Sequence, residues 1–309
     1  MLHLDQLAGL PEAALSAQDI AAVNLACAAG LPGAENLDAA RCLAVLDAWA
    51  EHVDRETARS AAQFQRDPAA YENSWAYFRV LVMATVLQQD CGVRYDPTLI
   101  ERDDFFGRSE NLFIHGVIQG KGGTCSSLPP LYVAVGRRLG YPLRLVQTHS
   151  HVFARWDDPC TGERFNVECT SVGLNCHPDD YYREWPRPTT HREVEQYGWL
   201  VSQSSREDLA MFLVNRGHCS LENGQDRQAA EAYARACSLP HRHRGYEPCL
   251  SLALERWRCR LEGQSRESLP RASGSSPAAC RFPGLTIELE GQFLHLEEVE
   301  RLWAFGRKG

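Results

Sequence analysis

Apolar residues recur at helical spacing through most of the first hundred positions. Ala21, Ala22, Leu25, Ala26 and Ala29 follow Asp19, which suits an N-cap. Leu31-Pro-Gly33 breaks the pattern, and residues 38–57 resume it with Ala40, Leu43, Leu46 and Trp49. Tyr77, Val80, Leu81, Ala84 and Leu87 form another apolar face before Gly92. This spacing predicts a helical N-terminal region over residues 1–100. The turn-rich run that follows, with Tyr95-Asp-Pro, Asp103-Asp-Phe-Phe-Gly and Ser109-Glu-Asn, reads as a loop over 95–115.

The next helix carries Leu128, Leu131, Tyr132, Val135 and Leu139 on one face. Pro129 and Pro130 fall in or beside its first turn, and Gly140 with Tyr141-Pro142 marks its end. The period then changes. Leu143–Thr148 reads as a strand, His149–Trp156 alternates as a second, and Glu163–Cys169 reads as a third. Asp157-Asp-Pro-Cys-Thr-Gly162 supplies the last turn. One helix followed by these strands predicts an antiparallel sheet packed on that helix, an α+β core. A turn centred on residues 159 and 160 puts His151 directly opposite Glu168. Such residues share a face with Cβ atoms about 5 Å apart, and a one-residue slip would separate them.

Residues 205–240 have another character. Leu209, Phe212, Leu213, Arg216 and Gly217 precede Asn223-Gly224, and Ala229, Ala230, Tyr233, Ala234 and Ala236 lead to Leu239-Pro240. Helices are expected at about 207–222 and 226–238. This pair resembles a tetratricopeptide unit, which cannot bury its face alone and should lean on the core or on a helix near 246–262. Residues 264–281 read as a serine- and proline-rich linker. Residues 282–309 contain one stretch with strand character and one with helical character. The expected layout is therefore a helical region (1–100), a catalytic core (101–204), tetratricopeptide-like helices (205–263), the linker and a C-terminal segment.

Composition narrows the function. Of the 309 residues 44% are apolar and 23% charged, which suits a packed core. A net charge of −8 argues against nucleic-acid or anionic-membrane binding. There is no stretch with the length and apolarity of a membrane span, and the N-terminus lacks the pattern of a signal peptide. The twelve cysteines are scattered, with no C-x-x-C, so reduced thiols and a cytoplasmic location are expected. No cofactor and no metal are expected. His149, His151, Cys160, Cys169, Cys176 and His177 match no closed structural zinc spacing.

The chemistry centres on Gln119-Gly-Lys-Gly-Gly-Thr-Cys125 at the start of the predicted helix. A helix N-terminus favours a thiolate, and glycines let backbone approach a substrate closely. A cysteine nucleophile needs a base, and the base needs a group that fixes its tautomer. His151 and Glu168 fit those needs. His149 competes with His151 or lines the site. Gln119 either helps the Cys125 amide stabilise an oxyanion or is an ordinary loop residue.

Gly-Gly-Thr-Cys125 at a helix start, His151-Val-Phe-Ala on a strand and Phe-Asn-Val-Glu168-Cys-Thr on the next resemble the transglutaminase-like superfamily, papain-like proteins with a Cys, a His and an Asp in this order. The likeness covers roughly residues 115–200. The whole plan is similar to bacterial members with a helical N-terminal segment and a tetratricopeptide tail. The resemblance implies acyl-transfer thiol chemistry: a cysteine protease-like, transglutaminase-like or deamidase-type enzyme acting on an amide or thioester bond of a protein or peptide. Cys125 would be the nucleophile, His151 the base and Glu168 the orienter. This chain departs from the family in carrying Glu where Asp is usual. Some members are not catalytic, so a second expectation is an adaptor that binds a protein partner through the tetratricopeptide-like tail.

Overall fold

The computed structural model describes residues 4–239 and 245–263. The expected linker, the segment 282–309 and His241-Arg-His-Arg244 lie outside the described residues. Short helices α1 (Leu4–Ala8) and α2 (Glu12–Ser16) lead into α3 (Ile20–Ala28), whose N-cap Asp19 accepts the Ala21 amide at 2.8 Å. Helix α4 (Ala39–Arg66) starts at Asp38, which accepts the Arg41 amide, and α5 (Trp75–Thr85) starts at Ser74, which accepts the Tyr77 amide. These side chains satisfy amides that the first turn of a helix leaves unpaired. A π-helical turn, Val86–Asp90, extends α5.

The region read as a loop over 95–115 contains more regular structure than expected. A 3-10 turn (Pro97–Leu99) is followed by α6 (Ser109–Leu112) and α7 (Ile114–Ile118), both almost wholly buried. A single helical turn is too short to show periodicity, and burial on all sides removes the polar face. Helix α8 (Leu128–Arg138) then runs through the centre of the core, with Leu128, Leu131, Val133, Ala134 and Val135 fully buried.

Strands β1 (Leu143–Thr148), β2 (His151–Asp157) and β3 (Arg164–Val167) form an antiparallel sheet in the order β1-β2-β3. The chain therefore combines helices with a small antiparallel sheet, as the periodicities predicted. Two details differ. Residues His149 and Ser150 are a tight turn rather than the start of β2, with Ser150 at φ 70°. The β2–β3 turn is centred one residue later than expected, because the Gly162 amide donates to the Asp158 carbonyl and the Asp158 amide to Glu163. Ala154 consequently pairs with Val167 and Asp157 with Arg164.

Both faces of β2 are covered. Val152, Ala154 and Trp156 join the main core, which also contains α8. Phe153 packs with Val146, Tyr182, Trp199 and Leu200 in a second cluster. Arg155, fully buried on that second side, donates to Asn166, to the Leu200 carbonyl and to Asp179. These contacts fasten α9 (Asp179–Glu184) over the sheet. After α10 (His191–Tyr197), residues 200–203 follow the free edge of β1, with the Leu200 amide on Gln147 and the Gln203 amide on Leu145.

Helices α11 (Ser205–Glu222), α12 (Asp226–Ser238) and α13 (Glu247–Leu261) complete the described chain. Gly217 gives α12 its close approach, since a Cβ there would stand 2.4 Å from the Tyr233 ring. Helix α11 is tied to the N-terminal helices: Glu12 accepts the Ser205 and Arg206 amides, and Arg216 donates to the Cys27 and Ala29 carbonyls. Asp208 of α11 is buried beside Arg137 of α8 at 3.5 Å.

Candidate active site

Cys125 sits in the turn just before α8. The turn closes through Thr124, whose carbonyl accepts the Ser127 amide at 3.2 Å and the Leu128 amide at 2.9 Å. The Thr124 amide donates to Ser127 Oγ, Thr124 Oγ1 accepts the Ser126 amide, and the same hydroxyl donates to the Asn111 carbonyl. Thr124 and Ser127 are fully buried, so the loop is bolted to α6 from below while Cys125 remains half-exposed above. The Cys125 amide donates to no acceptor among the described residues.

The glycines are required here. Gly122 has φ +82°, and a Cβ on it would lie 2.8 Å from Asp96 Cβ. A Cβ on Gly123 would lie 2.8 Å from Leu128 and Val117. Lys121 fixes the other end of the loop by bonding buried Glu110 at 3.1 Å.

His151 opens β2 immediately after the tight turn. Its Nε2 bonds Glu168 Oε2 at 2.8 Å, and both side chains are about 95% buried, with 4% and 5% exposure. The expected direct pairing is corrected by the sheet register: Glu168 lies just past β3, opposite Phe153, and meets His151 diagonally. A shift of two residues preserves the face, so the pair survives the error in register. The second carboxylate oxygen of Glu168 accepts the Thr170 amide at 2.8 Å and the Thr170 hydroxyl at 2.6 Å. Tyr182 donates to Oε2 at 3.1 Å. Gln88, in the π-helical turn, holds the following loop by donating to the Ser171 and Gly173 carbonyls and accepting the Gly173 amide.

The electrostatics follow from this geometry. Burial disfavours the His151 imidazolium, but hydrogen bonding and charge from Cys125 and Glu168 outweigh it and raise its pKa to about 9. Burial likewise pushes the Glu168 carboxyl up, yet its bonds to His151 and Thr170 bring it down to about 2. The pair is therefore an imidazolium and a carboxylate at neutral pH. With Nε2 occupied by Glu168, Nδ1 is the imidazole nitrogen left for the Cys125 sulfur.

Aromatic rings frame the imidazole. Trp185 meets it edge-on at 4.7 Å and is 39% exposed, and Tyr182 stacks nearly parallel at 6.0 Å. Sequence reasoning gave no role in the site to Thr170, Tyr182 or Trp185. Thr170 stands two residues after Glu168, the spacing of a local side-chain-to-backbone turn, and was legible in principle. Tyr182 and Trp185 reach the site through the α9 fold-back, which leaves no local signal.

The other two candidates make different contacts. His149 is buried at the tip of the β1–β2 turn, against Trp199 at 5.1 Å, with its ring nitrogens near Ser150 and Arg187. His149 therefore stands in the turn and not on the expected strand with His151. Gln119 is the exposed C-cap of α7, its amide donating to the His115 carbonyl, and no hydrogen bond joins its side chain to Cys125, His151 or Glu168. Among the described residues, no group of His, Cys, Asp and Glu could hold a metal ion. Nor is any described helix long and apolar enough to cross a membrane.

Residues 40–207 match the transglutaminase-like superfamily. The chain belongs to that superfamily. Comparison with curated proteins and with solved structures gives no match. In this transglutaminase-like chain, the matched segment runs from the start of α4 into α11 and contains Cys125, His151 and Glu168.

Proposed function

We propose that this transglutaminase-like protein is a cysteine hydrolase or acyltransferase acting on an amide or thioester bond in a protein or peptide. Cys125 is the nucleophile, His151 the base and then the acid, and Glu168 the group that holds the imidazole. The observation behind this reading is the buried 2.8 Å bond by which Glu168 holds His151, with Cys125 near enough to help raise the imidazole pKa. The thiolate is the species that attacks a carbonyl, and an imidazole held by a carboxylate is the group that takes and returns the thiol proton. Attack makes an acyl-enzyme, His151 delivers a proton to the leaving group, and water releases the acid. Water is preferred over an amine because it needs no second binding site. On this reading α11 and α12 form a tetratricopeptide-like tail of the kind carried by bacterial members, the protein works in the cytoplasm, and a protein partner binds that tail.

Iodoacetamide labelling followed by peptide mass spectrometry tests the nucleophile without knowledge of the substrate. Cys125 should react faster at neutral pH than the other thiols, and His151→Ala should slow it by at least about tenfold. Equal labelling of Cys125 in both proteins would replace the enzyme with the adaptor reading.

A further inference from the structure

The segment Arg94-Tyr95-Asp96 runs beside the glycine loop. The Gly123 amide donates to the Arg94 carbonyl at 2.9 Å, the Asp96 amide donates to the Gly123 carbonyl at 3.0 Å, and Tyr95 and Gly123 form a parallel bridge. Asp96 is itself fixed, accepting the Thr98 amide at 3.0 Å and the Thr98 hydroxyl at 2.7 Å. The bare α-carbon of Gly122 then lets the two segments touch. Tyr95 is thereby held level with Gly123, two residues before Cys125.

The Tyr95 ring is half-buried and packs against the main core. Its phenol lies within electrostatic reach of both Cys125 and Glu168, from the element on the other side of the loop. The hydroxyl makes no hydrogen bond to a protein group among the described residues. The Cys125 amide is also unengaged, and an oxyanion needs convergent donors. Gln119, the side chain expected to provide one, is exposed and bonded to neither.

We propose that the Tyr95 hydroxyl is a further catalytic residue, which with the Cys125 amide donates a hydrogen bond to the oxyanion formed when Cys125 attacks an acyl carbonyl. The inference rests on the reading of Cys125 as the nucleophile. In the step, the sulfur lone pair forms the S–C bond and the carbonyl π pair moves onto oxygen. Tyr95 donates a hydrogen bond but keeps its proton. Collapse restores the carbonyl and expels the leaving group with the electrons of its bond. Burial, with the negative charges of Cys125 and Glu168 adding to it, raises the Tyr95 pKa, so the phenol stays protonated and remains a donor.

Two reagents separate this role from a structural one. Acylation of Cys125 by p-nitrophenyl acetate passes through an oxyanion, whereas alkylation by iodoacetamide displaces iodide at a saturated carbon and forms none. Tyr95→Phe should slow acylation about 10²-fold, the typical effect of one oxyanion donor, while alkylation changes by less than about threefold. Tyr95→Met, which also lacks the hydroxyl, should behave alike, and thermal melts would show that both variants fold. Acylation unchanged, or both reactions slowed together, would overturn the inference while leaving the nucleophile intact. Acylation that persists in Cys125→Ala would overturn the nucleophile and this inference together.

Discussion

His151 and Glu168 bond at 2.8 Å although the sheet sets them on a diagonal. Diagonal neighbours have Cβ atoms roughly 7 Å apart, further than directly opposed residues. The longer side chain at 168, where the superfamily usually has Asp, suits that span. Glu168→Asp keeps the charge but shortens the reach, and should lower Cys125-dependent esterase turnover about 10²-fold. Glu168→Gln keeps the length but removes the charge and the tautomer lock, and should cost about 10³- to 10⁴-fold with the fold intact by circular dichroism. Full activity in both variants would show that Glu168 does not orient the base.

The same pair predicts a pH dependence. His151 is raised to about 9 in the folded protein, so its contribution is complete below the unfolded value near 6.5 and is lost as pH rises through about 9. Glu168 is lowered to about 2, so its contribution is present above about 4.3 and is lost as pH falls toward 2. The two describe one contact. The stability difference between wild type and Glu168→Gln should therefore be largest between about pH 4.3 and 6.5. An NMR titration should also give His151 a midpoint near 9 that falls in the Gln variant. A midpoint near 6.5 in both would contradict the assignment.

Thr124 holds the loop rather than reacting. Thr124→Val retains the shape but leaves the Asn111 carbonyl and the Ser126 amide without their partner. Urea unfolding should show a loss of about 1–3 kcal/mol. Iodoacetamide should also label Cys125 more slowly, because the turn that presents it loosens. A variant as stable as wild type would mean that the hydroxyl contributes nothing.

Asp208 supplies a test remote from the site. Burial raises its carboxyl to about 7 against the opposing pull of Arg137 and Arg144. The folded protein keeps this proton to about pH 7, whereas the unfolded chain releases it near 3.9, so stability from this group falls as pH climbs between those values. Asp208→Asn should remove that slope. Urea midpoints at pH 5 and pH 8 should fall less for the variant than for wild type, and equal falls would rule the ionisation out.

The legible parts of this chain were those written in long periods. Helices α4, α5 and α8 announced themselves by apolar spacing and the three strands by alternation. The positions of Cys125, His151 and Glu168 followed from motif and order. What escaped notice is local or long-range. The single-turn helices α6 and α7 carry no repeat, and the sheet register moved when Gly162 and Asp158 closed a later turn. His149 left its expected strand because Ser150 adopts a left-handed backbone. Tyr95, Tyr182 and Trp185 come to the site from segments distant in sequence, and only the folded chain assembles them.

Asn24 lies outside the superfamily match yet sits fully buried in α3, and its side chain accepts the amide of Ile114, the first residue of α7. Helix α7 leads directly into the glycine loop. The matched segment is thus anchored by a residue that a minimal domain would discard. An engineered version starting at residue 40 would free the amide that sets the direction of α7, and the disturbance would pass through α7 and the glycine loop to the cysteine. For this protein, the boundary useful for dissection lies upstream of Asp19, not at the edge of sequence likeness.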